Sequence, residues 1–108
     1  MREFVYVAPP SIDEAILELR RGHAWPLAGG TDLLPQLREG RRSADRIVDL
    51  KRVAGLAAIQ RLPDGGIEIG AALSPTRVAR HTAIAFGYPA IAASARLIGS
   101  VQVQNRAS

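Results

Sequence analysis

The amino-acid sequence predicts an α+β fold: a small parallel α/β subdomain over residues 1–56, then the start of an antiparallel-sheet subdomain over 57–108. Strand-like and helical runs alternate through the first fifty residues, which is the grammar of a parallel sheet with crossover helices. From residue 57 two strand-like runs flank Pro63-Asp64-Gly65-Gly66, a turn sequence typical of hairpins. The chain has 108 residues, 47% hydrophobic and 22% charged. That length suits one domain, and that balance excludes disorder and low-complexity classes.

Phe4-Val5-Tyr6-Val7 is rich in strand formers and is cut off by Pro9-Pro10, so it reads as a first strand. Ser11 and Glu14 have the spacing of a capping box, and Ile12, Ala15, Ile16 and Leu19 recur at helical period until Gly22. Trp25-Pro26-Leu27-Ala28 follows as a strand, which Pro26 confines to a strand start or a sheet edge. After Gly29-Gly30-Thr31-Asp32, Leu33, Leu34 and Leu37 mark a second helix that carries Pro35 in its first turn and stops at Gly40. Arg46 to Leu50 is a third strand.

In the second half, Ala57–Leu62 and Ile67–Leu73 predict a hairpin. Ser74-Pro75 opens a short helix through Arg80, and Pro89 opens another, with Ile91, Ala95 and Ile98 on one face and Gly99 at its end. Val101-Gln102-Val103-Gln104-Asn105 alternates apolar and polar residues and predicts a last strand, one that reads as cut short at Ser108.

Composition removes several function classes. There is no cysteine, which excludes disulfides, thiolate nucleophiles and cysteine-held metals and fits a reducing cytoplasm. No apolar run is long enough to span a bilayer. His23 and His81 lack carboxylates at ligand spacing, so no metal site is expected. The net charge of +4 is spread along the chain without aromatic interleaving, so nucleic-acid binding is not expected. The serines lack a nucleophile-elbow context, and no residue is nominated as catalytic. Asp49, at the end of the third strand, is expected to be solvated or to cap. Tyr6, Trp25, Phe86 and Tyr88 are expected to pack in the interior.

One segment invites a ligand. A strand that runs into glycines at a helix start offers several backbone N–H groups with no partner, and phosphate is their natural ligand. Glycine leaves the main chain approachable, Thr31 adds a hydroxyl donor, and Asp32 is expected to cap the helix. The pair serves equally well as a plain tight connection, and it matches neither the dinucleotide fingerprint nor the P-loop pattern.

Ala28-Gly29-Gly30-Thr31-Asp32-Leu33-Leu34-Pro35 resembles the first flavin-binding motif of the FAD-binding (medium) subunits of molybdenum hydroxylases, the group of carbon monoxide dehydrogenase and xanthine dehydrogenase. Phe4, Tyr6 and Pro9, Ser11-x-x-Glu14-Ala15, Ile47-Val48-Asp49-Leu50, Ile69-Gly70-Ala71 and Ile98-Gly99-Ser100-x-Gln102-x-x-Asn105-Arg106-Ala107 follow the family's order. The resemblance implies a PCMH-type FAD-binding domain with FAD as cofactor. Leu27, Ala28, Gly29, Gly30, Thr31, Asp32, Leu33 and Leu34 would wrap its diphosphate, and Ser108 would begin a second binding loop.

It further implies an oxidoreductase subunit that passes electrons from iron–sulfur clusters through FAD to a final acceptor. Its partners would be a molybdopterin-binding large subunit and a 2Fe-2S small subunit. The chain would be an N-terminal piece, inactive alone. Val101 and Gln104 depart from the proline and arginine common in the family. The competing readings are a phosphate- or nucleotide-binding module without flavin, and an inactive remnant whose apolar surface drives association.

Overall fold

A computed structural model describes residues 2–108. Three strands, β1 (Val5–Val7), β2 (Ala24–Leu27) and β3 (Arg46–Asp49), form a parallel sheet in the order β1-β3-β2. Helix α1 (Ile12–Leu19) links β1 to β2, and α2 (Leu33–Arg38) links β2 to β3. The first link runs across the sheet and the second runs back. Right-handed crossovers in opposite directions put the two helices on opposite faces.

The core has this two-sided form. Ile47 packs with Leu27, Leu37 and Ala44 on the α2 side, while its neighbour Val48 packs with Ala15 and Val53 on the α1 side. Alternate side chains of one strand point to opposite faces, so β3 at the centre supplies both clusters. Pro26 lies on an edge strand, where its missing N–H breaks no ladder. Ser11 Oγ accepts the Glu14 N–H at 3.2 Å, as its capping position requires. Of the predicted apolar face of α1, only Ala15 is fully buried.

The second half opens with a hairpin, β4 (Ile59–Arg61) against β5 (Ile67–Ile69), antiparallel and shorter than the sequence suggests. Asp64 Oδ1 accepts the Gly66 N–H at 2.8 Å across the turn, and Gly65 has φ +89°. Helices α3 (Pro75–Arg80), α4 (Thr82–Gly87), α5 (Pro89–Ala95) and α6 (Val101–Gln104) follow. Helix α4 has no clear sequence signal, because one residue, Ile84, carries its buried contact.

Two expectations are overturned here. The tail is not a strand: Ser100 Oγ accepts the Val103 N–H at 3.3 Å and starts α6, so a local cap decides a segment too short for alternation to be informative. Phe86 is not an interior residue either, being 85% exposed, and Tyr6 and Tyr88 are also exposed. Trp25 does pack against the α2-side cluster, with its Nε1 donating to Ser43 O at 2.9 Å and the Arg42 guanidinium 4.2 Å from the ring centre.

Candidate functional site

Leu27 ends β2 with its side chain buried against Leu37 and Ile47, and its carbonyl accepts the Leu50 N–H at 2.8 Å. The glycine turn therefore leaves the sheet at its carboxyl edge, where open α/β sheets bind their ligands. Leu33 also packs against this cluster, and Leu34 is partly exposed beside Gly30. The leucines anchor the turn from both ends and leave its backbone at the surface.

Ala28, Gly29 and Gly30 are half-buried, and Thr31 and Asp32 are exposed. Among the described residues, the N–H groups of Gly29, Gly30, Thr31 and Asp32 donate to no acceptor, and the Thr31 hydroxyl makes no hydrogen bond. The first paired amide is that of Leu34, which donates to Gly30 O at 3.2 Å. Four consecutive free donors and a hydroxyl form a donor set for an anion with several oxygens. A diphosphate fits it.

At Gly29 the glycine is needed for a reason the sequence does not disclose. A Cβ on Gly29 would overlap the Arg106 carbonyl and lie 2.8 Å from Ala107 Cα, so the segment after α6 rests directly on the turn. Gly30 has φ +79°, and a Cβ there would come within 2.9 Å of Leu34 Cδ1. A side chain is thus disfavoured at both positions even before a ligand is considered, and at Gly30 the positive φ is what a turn of this kind calls for. The docking of Arg106 and Ala107 brings Ser108, one residue on, to the same end of the sheet as Gly29.

Two sequence expectations need correction. Asp32 occupies the N-cap position of α2 without capping it; its carboxylate accepts from Gln36 Nε2 at 2.7 Å, one turn along the helix. Asp49 is buried rather than solvated, and it caps the turn that follows β3, its Oδ1 accepting the Lys51 N–H at 2.9 Å. It is 6% exposed, accepts from the Tyr6 hydroxyl through Oδ2, and pairs through Oδ1 with Lys51 Nζ at 2.8 Å. Burial pushes the Asp49 carboxyl up, and the hydrogen bonds from Lys51 and Tyr6 outweigh it, so the group sits below its ordinary range. The bond to Asp49, with burial, holds the Tyr6 phenol above its ordinary value. Lys51 Nζ also donates to Ala28 O at 2.8 Å, which ties the cluster to the glycine turn.

Sequence reasoning missed Lys51, the bond of Tyr6 to Asp49, and the contact of Arg106 and Ala107 with Gly29. The position of Lys51 two residues beyond a strand-end aspartate was the available signal. Near Ser108 lies an apolar groove of about 530 Å³ whose walls include Ile69, Leu73, Val78, Ile91 and Ile98. Among the described residues, no group of three or more His, Asp or Glu side chains is placed to hold a metal ion. Among the described residues, no helix is long and apolar enough to cross a membrane.

Residues 2–108 match the family described as the FAD binding domain in molybdopterin dehydrogenase. The nicotinate dehydrogenase FAD-subunit of Eubacterium barkeri is 31% identical over 108 residues, covering 97% of this chain and 36% of that protein. The carbon monoxide dehydrogenase medium chain of Hydrogenophaga pseudoflava is 31% identical over 105 residues, covering 95% of this chain and 36% of that one.

Among solved structures, carbon monoxide dehydrogenase from Hydrogenophaga pseudoflava lacking the Mo-pyranopterin moiety superposes with a TM-score of 0.91 at 30% identity, covering 99% of this chain and 38% of that chain. Quinoline 2-oxidoreductase from Pseudomonas putida 86 gives 0.90 at 29%, covering 97% and 37%. This chain thus spans little more than a third of the proteins it matches, with the same architecture from end to end. The family match over residues 2–108, on a fold that presents a free-amide turn at the carboxyl edge of its sheet, establishes that the chain belongs to the FAD-binding domains of molybdopterin dehydrogenases.

Proposed function

We propose that this chain holds the diphosphate of FAD on the turn from Leu27 to Leu34, with Ser108 at the start of a second contact. The observation that carries this reading is the run of unpaired amides from Gly29 to Asp32. Leu27 and Leu33 fix the ends of the turn in the core, the four amides and the Thr31 hydroxyl supply donors, and Lys51 holds the Ala28 carbonyl at its base. Bound FAD supplies reversible electron transfer, and the protein supplies binding and orientation. No side chain here is assigned a proton-transfer role.

The relatives, an FAD subunit and a medium chain, support a wider role. In it, the protein that carries this domain relays electrons from iron–sulfur clusters to a final acceptor beside a molybdopterin-binding large subunit and a 2Fe-2S small subunit. Residues 1–56 and 57–108 act as two subdomains in this reading. A cysteine-free chain suits the reducing cytoplasm.

Titration with FAD, ADP and riboflavin tests the core of the proposal. Riboflavin has the same ring system and no phosphate. FAD is expected to bind at least roughly tenfold more tightly than riboflavin, the effect of about 1.4 kcal/mol of added interaction. Equal affinity for the two flavins would remove the diphosphate from the turn, and equal affinity for ADP and FAD would favour a nucleotide-binding module that makes no use of the flavin ring.

A further inference from the structure

We infer that Lys51, itself held by Asp49 and Tyr6, is a positioning residue that sets the direction of the Gly29 amide. The inference rests on the diphosphate reading of the turn given above. The Lys51 ammonium donates to Ala28 O at 2.8 Å and pairs with Asp49 Oδ1 at 2.8 Å. The Lys51 backbone N–H donates to the same Oδ1 at 2.9 Å, and the Tyr6 hydroxyl occupies the other carboxylate oxygen. Three consecutive links thus run from β1, through the end of β3, to the glycine turn.

The consequence follows from peptide geometry. The Ala28 carbonyl and the Gly29 N–H belong to one planar trans unit and point in opposite directions. Fixing the oxygen toward Lys51 fixes the N–H away from it, on the side left free of protein acceptors. Restraint is needed here because consecutive glycines populate many backbone conformations and Asp32 provides no cap. A charge-assisted bond from a partly buried ammonium, oriented by a buried carboxylate, is stronger than a neutral one and suits the task. The ladder bonds of β2 end at Leu27, so Lys51 takes over where the sheet stops.

Lys51→Met keeps the apolar stem and removes the donors; Lys51→Arg keeps a cationic donor. The readouts are FAD affinity by flavin fluorescence and the backbone amide resonances of Gly29 and Gly30 without ligand. Lys51→Met is expected to weaken FAD binding roughly tenfold, and Lys51→Arg by no more than roughly threefold, as loss and retention of a charged hydrogen bond imply. In ligand-free Lys51→Met the Gly29 amide is expected to shift and broaden. Lys51 is the one lysine of the chain, so acetylating the folded protein removes the charge without refolding and is expected to give the same two changes. Native-like FAD affinity after acetylation or in Lys51→Met, or an unmoved Gly29 resonance in Lys51→Met, would overturn the inference. If the native chain fails to bind FAD, the diphosphate reading falls, and the ligand-free resonances alone decide the role of Lys51.

Discussion

Gly29 carries a structural requirement beyond the one its sequence context suggests. Its side-chain space is taken by the backbone of Arg106 and Ala107, a contact across most of the chain that no local pattern reveals. Gly29→Ala must push that segment away, and overpacking of this kind costs about 1–3 kcal/mol. A lowered melting temperature, with FAD affinity falling as well, is the expected outcome; an unchanged melt would show that the segment is not seated there.

Asp49 gives a pH-dependent prediction. Its folded pKa is lowered, so its contribution is present above the unfolded value, near 3.8, and is lost as pH falls through the folded value. Tyr6 is raised, so its contribution is full below 10.0 and is lost as pH rises through the folded value. The melting-temperature gap between native protein and Asp49→Asn should therefore be wide at neutral pH and close under strong acid. A gap that persists in acid would mean that the carboxylate charge is not what stabilises. The burial of Asp49 was not legible in the sequence, because it depends on Tyr6 from β1 and Lys51 beyond β3 meeting at one sheet end.

At the scale of elements, local chemistry was the better guide where it was specific. Ser11 and Ser74 cap the helices expected of them, Pro26 marks an edge, and Pro63-Asp64-Gly65-Gly66 turns a hairpin. The tail from Val101 misleads because five residues alternate equally well in a strand and along one turn of helix. Its deciding feature is Ser100, whose hydroxyl accepts from Val103 N. Ser100→Ala should cost about 1 kcal/mol, as loss of an N-cap does, and loosen the contact of Arg106 and Ala107 with Gly29. Hydrogen exchange of the 101–107 amides checks this: faster exchange in the variant is expected, and native protection would show that α6 does not depend on its cap. Helix α4 escaped notice because one buried isoleucine leaves no periodic trace.

The whole molecule measures 45 × 31 × 14 Å, a slab too thin to hide both faces of every element. Its second half consequently shows an apolar groove lined by residues such as Ile91, 43% exposed, and Ile98. Such a surface should bind an environment-sensitive dye such as anilinonaphthalene sulfonate, and Ile91→Glu should reduce that fluorescence. Because Ile91 is partly exposed, the same substitution should change stability by no more than about 0.5 kcal/mol. Undiminished dye binding in Ile91→Glu would place the apolar surface elsewhere. Fold class was legible at this scale because the change from alternating strands and helices to a hairpin survives compression into sequence. The convergence of the tail, Lys51 and the glycine turn was not, since it is made by the packing of distant segments.

The free amides of Gly29 to Asp32 are the proposed grip on the FAD diphosphate. Backbone amide chemical shifts recorded along an FAD titration test it most directly. The largest changes are expected at Gly29, Gly30, Thr31 and Asp32, with riboflavin leaving them in place. Shifts confined to the groove around Ile91 and Ile98, with the glycine turn unmoved, would contradict it.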